Sequence, residues 1–262
     1  MTYCVALRLD AGILSLSDTR TNAGVDNIST VRKTKSWEMP GERSIALMSA
    51  GNLATTQAVT AWLDERNKAP DQRDPTILSA PSMFEVARIV GDTLRTEVQT
   101  RAGGGQVADA AAFSGTLILY GQIAEAEPRL YLVYPEGNFI EATDDNPFFQ
   151  IGEAKYGKPI LDRVFDAGMS VEEAAKLLLI SMDSTVRSNL SVGPPFDLRF
   201  LARDELAPSI ERRIAADDPY FQRLSGGWGA ALKRAFDELP GLQDQGPEGQ
   251  RPEDQGPEDQ GA

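Results

Sequence analysis

A threonine at position 2, directly after the methionine that opens the chain, combines two groups that acyl-transfer chemistry needs. A residue that small permits removal of the methionine. Thr2 would then carry a nucleophile in its Oγ and a base in its α-amine, whose ordinary pKa of about 8 suits proton transfer at neutral pH. The chain contains no histidine. That excludes Ser-His-Asp and Cys-His pairs and an ordinary histidine zinc site, so a hydrolase built on this sequence must move its proton by another group. The amine works as a base only while neutral, and a nearby fixed cation disfavours its protonation. Lys33 and Lys35, in the stretch TVRKTKSW, are candidates for that cation, and Asp18 is placed to hold and partly neutralise whichever lysine serves. The stretch MSAGN ends at Gly51 and Asn52, where a strand meets a helix cap. A backbone N–H at such a junction points outward and glycine lets a substrate approach, so Gly51 is the candidate oxyanion donor.

These residues need a scaffold that converges them. Tyr3 to Leu9 and Ile13 to Ser17, around Asp10-Ala11-Gly12, read as a β-hairpin with Asp18 just past its second strand. Thr30 to Met39 and Ser44 to Ala50 read as a second pair turning at Pro40-Gly41-Glu42. Two helices follow, one capped by Asn52 and one opened by the Ser82/Glu85 pattern, with a polar loop from Lys68 to Pro81 between them. Strands are expected at Thr116 to Ile123, Arg129 to Tyr134 and near Phe139. Helices are expected from Lys155 to Asp166 and after Ser170, whose partner Glu173 completes a capping-box pattern. Leu198 to Ala202 and Ser209 to Ile214 read as closing strands, and Tyr220 to Leu239 as a last helix containing three glycines. Two blocks of strands separated by paired helices predict an α+β fold, a four-layer α/β/β/α sandwich of two antiparallel sheets.

Composition sets the remaining bounds. The chain has 262 residues, 41% hydrophobic, enough for one sizeable domain over residues 1–240. Residues 241–262, with their recurring Asp-Gln-Gly-Pro-Glu, read as a disordered acidic tail. A net charge of −13 argues against nucleic acid or an anionic membrane as partner. Cys4 is the single cysteine, expected in the core and unable to form an intramolecular disulfide. No signal segment or spanning apolar run is visible, so a cytoplasmic location is expected.

Taken together, TYCVAL, LSDTRTNAG, STVRK and LMSAGN resemble the proteasome β-type family of N-terminal nucleophile hydrolases. More narrowly, LDAGILSLSDTRTNAGVDNIST, NLATTQ and SMDSTVRSNLSVGPPFDL resemble its Anbu branch, over Thr2 to about Leu239. The resemblance implies a threonine peptidase with Thr2 as nucleophile and base, Lys33 tuning the amine, Asp18 orienting the lysine and Gly51 supplying the oxyanion N–H. It favours Lys33 over Lys35, because Lys33 stands four residues before Trp37. Asp183 and Ser188 are similar to the family's aspartate and hydroxyl residue that steady the amine. Glu153 stands where relatives carry a serine in a Gly-Ser-Gly loop, and Asn22 where many have a threonine. The resemblance also implies self-association into a ring or a helical assembly, a peptide or unfolded protein as substrate, and an ATP-dependent unfoldase as a possible partner. No cofactor is implied beyond a possible cation held by backbone carbonyls near MDSTVRSN. An amidase or transferase of small amides, or a non-catalytic scaffold subunit, are the alternative readings.

Overall fold

In the first two strands nearly every residue is buried, which requires cover on both faces of their sheet. β1 (Tyr3–Leu9) and β2 (Gly12–Asp18) form the expected hairpin, with Asp10 and Ala11 as its two-residue turn. Along β1, Tyr3, Val5, Leu7 and Leu9 enter one apolar layer while Cys4 and Ala6 enter another. The period-two alternation is present, but hidden in the sequence because both faces are dry.

The computed structural model describes residues 2–22, 28–70, 75–103 and 111–241. After β2 come the short β3 (Arg20–Asn22) and β4 (Ile28–Thr30), which pair only with each other, then β5 (Thr34–Met39) and β6 (Arg43–Gly51). Helices α1 (Leu53–Lys68) and α2 (Met83–Arg101) follow, then β7 (Gly115–Ile123), β8 (Arg129–Val133), β9 (Phe139–Glu141) and β10 (Phe148–Gly152). The order continues with α3 (Lys158–Val164), α4 (Val171–Ser188), β11 (Phe196–Ala202), β12 (Ile210–Ile214) and α5 (Pro219–Glu238). One sheet has the order β10-β1-β2-β11-β12 and the other β5-β6-β7-β8-β9, every pairing antiparallel.

Three apolar layers fix the stacking. Leu47, Leu117 and Leu119 of the second sheet pack with Val59 and Leu63 of α1 and Val86 and Val90 of α2. Val5, Leu7 and Leu14 of the first sheet pack with Leu161 of α3 and Leu178 and Met182 of α4. Between the sheets lie Ala6, Ile13, Ala46, Met48, Ile118 and Ile151, so the layer order is α/β/β/α as expected. The Ser15 and Tyr120 hydroxyls share a 2.7 Å hydrogen bond across this inner layer.

Of the first four expected strands, β1 and β2 belong to one sheet and β5 and β6 to the other. The structure departs from the sequence reading in four places. The expected strand from Thr30 is broken at residues 31–33. A strand, β10, occupies Phe148–Gly152, where no strand was expected, and α3 is shorter than expected, with a proline in its first turn. The two helix starts also differ: Ser170 and Glu173 form a complete capping box, whereas Ser82 accepts the Glu85 N–H but the Glu85 carboxylate turns to Arg88.

The chain divides into two compact units, residues 1–225 and 226–262. In the second, Gly226, Gly227 and Gly229 are helical, with open space around each. Residues 242–262, nearly all of the expected acidic tail, lie outside the described residues, as does Met1. Among the described residues no helix is long and apolar enough to cross a membrane.

The inner layer supplies a direct test of this packing. Ile118, fully buried between the sheets, should cost about 2–5 kcal/mol on substitution by alanine, whereas Ile210→Ala at a 39% exposed site should cost about 1 kcal/mol or less. Urea unfolding of the two variants measures the difference.

Candidate active site

Thr2 stands directly before β1, and its backbone is held on both sides. The Glu153 N–H donates to the Thr2 carbonyl at 2.7 Å, and the Tyr3 N–H donates to Asp18 Oδ1 at 3.0 Å. The Lys33 ammonium donates to Thr2 Oγ at 2.8 Å and to the Arg20 carbonyl at 2.9 Å. Thr2 and Lys33 lie at the wall of a 530 Å³ cleft that is also lined by Ser49, Gly51, Leu53 and Glu153. Gly51 ends β6 at φ +108°, and a Cβ there would meet the Ser114 carbonyl at 2.5 Å. The strand can therefore turn into the Asn52-capped helix only at a glycine.

The local chain explains why Lys33, and not Lys35, reaches the threonine. Residues 31–33 form the break between β4 and β5, pinned by Val31 N–H to the Thr19 carbonyl and by Ser49 N–H to the Lys33 carbonyl. Freed from the pleat, Lys33 points into the cleft and is 6% exposed. Lys35 lies within β5 and faces the helical layer, 3.2 Å from the Asp64 carboxylate of α1. Strand alternation would have put both lysines on one side; the break separates them.

Asp18 is fully buried, and burial pushes its carboxyl up from the ordinary value to about 6, against the opposing pull of the Lys33 charge and of N–H bonds from Tyr3, Gly193 and Arg20. Its oxygens are occupied by backbone donors, with Gly193 N–H at 3.3 Å from Oδ2, so it acts on Lys33 through the field and on Thr2 through the adjoining Tyr3 amide. Arg20 serves Asp18 with its backbone, not its side chain. The guanidinium donates to the Leu190 carbonyl at 2.9 Å and the Val192 carbonyl at 3.5 Å. Arg20 thus places a positive charge at the turn after α4. Cys4 is no rival nucleophile, because burial and the nearby Asp18 raise its thiol well above the usual range.

Thr2, Asp18, Lys33 and Gly51 are therefore brought together. Asp183 and Ser188 do not line the cleft: Asp183 is buried on α4 with Oδ2 accepting from Arg187 Nε at 3.0 Å, and Ser188 is exposed at the helix end. The strand β10, which the sequence reading lacked, delivers Gly152 and Glu153 to the cleft. Its signal was the apolar FFQI run before the glycine. A further buried network joins the Tyr3 hydroxyl to Ser181 at 2.6 Å and to Gln150, and burial raises that phenol to about 12, so it stays neutral. Nothing in the spacing of Tyr3, Gln150 and Ser181 announces that contact.

Asp18 makes stability depend on pH with a definite sign. A folded pKa near 6 against an ordinary 3.8 means that the native state holds the proton more tightly. The native state is therefore favoured in acid, and that advantage is lost as pH rises from about 4 through 6, amounting to about 3 kcal/mol. Relative to Asp18→Asn, the unsubstituted protein should lose stability over this window and then level off, as urea titrations at successive pH values would show. A constant difference across the window would contradict the burial argument.

No family model matches the chain. Among solved structures, a Gly−1 mutant of Anbu from Hyphomicrobium sp. strain MC1 is 51% identical, with a TM-score of 0.85 over 92% of this chain and 99% of that one. The helical assembly of the Anbu complex from Pseudomonas aeruginosa is 43% identical, with a TM-score of 0.83 over 92% and 98%. Among curated proteins, the proteasome subunit beta of Haloferax volcanii is 22% identical over 205 residues, covering 78% of this chain and 74% of its own length. With half of its residues shared across nearly the full length of a solved relative, and that fold built around the Thr2 cleft, this chain belongs to the Anbu family of proteasome β-related proteins.

Proposed function

We propose that the chain is a proteasome-type threonine peptidase that acts after removal of Met1. The observation that carries this reading is the 2.8 Å bond from the Lys33 ammonium to Thr2 Oγ at the wall of an open cleft. A buried cation on the hydroxyl oxygen lowers the energy of the alkoxide that forms as the proton leaves, and the free α-amine of Thr2 accepts that proton. Oγ attacks the peptide carbonyl, and the Gly51 N–H receives the developing oxyanion. The amine returns its proton to the leaving nitrogen, giving an ester on Thr2 that water then hydrolyses. The buried Asp18 carboxylate sets an opposite charge against the Lys33 ammonium. Self-association, as in the helical assembly of the Pseudomonas aeruginosa relative, would limit the cleft to unfolded chains.

Labelling by a β-lactone tests the nucleophile directly. Methionine-processed protein should gain one adduct, located at Thr2 by mass spectrometry, and Thr2→Ala should gain none. Lys33→Ala should label about a hundredfold or more slowly, while Lys35→Ala, which loses a half-exposed pair with Asp64 and a contact with the Trp37 ring, should stay within about twofold. Equal labelling of Thr2→Ala and the unsubstituted chain would end this reading. The labelling rate should also fall more steeply than one proton allows as pH drops through 6, because Asp18 is neutralised there while the amine is already protonated.

A further inference from the structure

We infer that Glu153 makes the Thr2 cleft select peptides with a cationic residue beside the bond attacked, an inference that rests on the peptidase reading above. Glu153 is fixed next to the nucleophile by its own backbone. Gly152 before it adopts φ +82°, where an added Cβ would come within 1.9 Å of the Thr2 carbonyl, and the Glu153 N–H donates to that same carbonyl. The side chain lines the cleft, with Oε2 accepting from Asn189 Nδ2 at 2.7 Å and lying 3.6 Å from the Lys155 ammonium. Lys155 is two-thirds exposed and gives only loose neutralisation.

The electrostatic argument is one of remaining charge. Among the side chains of the described residues that line the cleft, only those of Lys33 and Glu153 carry formal charge. Lys33 is buried, with hydrogen bonds to Thr2 and Arg20 and with the field of Asp18 set against it, so its charge is answered within the protein. The Glu153 carboxylate, held by Asn189 and loosely paired with Lys155, faces the substrate from the cleft wall, where its partial burial strengthens the field of one charge. The net charge of −13 draws cationic chains toward it and repels acidic ones. A lysine or arginine side chain flanking the scissile bond fits this field; a glutamate there meets repulsion and an unpaired charge.

The test separates binding from turnover. Three dye-labelled hexapeptides, identical except for Lys, Leu or Glu at the two central residues, are titrated by fluorescence anisotropy onto the processed Thr2→Ala protein, with and without Glu153→Gln. Glutamine keeps the size of the side chain and can still accept from Asn189. The lysine peptide should bind about three- to tenfold tighter than the leucine peptide, and the glutamate peptide more weakly than either. Raising salt from about 50 to 500 mM should shrink that preference. Glu153→Gln should bring the lysine-to-leucine ratio close to one. Equal affinities for all three peptides, a ratio unchanged in Glu153→Gln, a uniform change across all three, or no saturable binding would each overturn the inference. If the preference holds while the unsubstituted processed protein turns over no peptide, the peptidase reading fails and the selectivity stands.

Discussion

The whole site depends on keeping one lysine charged beneath the surface. An ammonium withdrawn from water as far as that of Lys33 costs several kcal/mol unless hydrogen bonds and a counter-charge replace its hydration. Two oxygens do the first, those of Thr2 and Arg20, and Asp18 does the second from a position that is itself fully buried. Neither charge is comfortable alone: the raised pKa of Asp18 shows that its ionisation is opposed by burial even with Lys33 beside it. Each ion is therefore tolerable because of the other, and the rest of the protein must hold the two at fixed separation.

The sandwich does that by drawing the parts from different sheets. Thr2 and Asp18 belong to the β1–β2 hairpin of one sheet, while the segment carrying Lys33 leads into the edge strand of the other, whose next strand ends at Gly51. The site exists only when the sheets are stacked in register. Small side chains such as Cys4, Ala6, Ala46 and Ala50 let the sheets close, and the Ser15–Tyr120 and Arg199–Glu38 contacts tie them laterally. Packing on the outer faces by four helices removes the remaining freedom. Stability and chemistry are coupled here through geometry, since a shift of one sheet against the other would separate Lys33 from Thr2.

What was legible in the sequence follows from how locally each feature is determined. The β1–β2 hairpin, the Asn52 and Ser170 caps and the long helices are set by neighbouring residues, and these expectations hold. The layer order was legible too, because paired helices between blocks of strands have few ways to cover two sheets. The non-local features were not. Nothing near β10 states that Phe148–Gly152 pairs with β1, yet that pairing brings Glu153 to Thr2. The division of the first four strands between two sheets hides behind a sequence equally suited to one sheet. Lys33 and Lys35 have the same parity, and only the break at residues 31–33, fixed by hydrogen bonds to Thr19 and Ser49, sends them apart. Asp183, which the family pattern set beside the amine, is buried on α4 with Oδ2 bonded to Arg187 at i+4.

The same topology divides the site's tasks. Lys33 reaches the Thr2 hydroxyl across the sheet interface, whereas Glu153 adjoins Thr2 within its own sheet through the β1–β10 pairing. A residue at the end of the strand paired with β1 keeps its distance from Thr2 whatever happens at the sheet interface. A substitution at position 153 can therefore change the charge that lines the cleft without moving the lysine from the hydroxyl. Substitutions in the inner apolar layer act the other way, loosening Lys33 from Thr2 while leaving the carboxylate in place. The Lys33–Thr2 contact is bound to the stacking of the sheets, and the Glu153–Thr2 contact to a single strand pair.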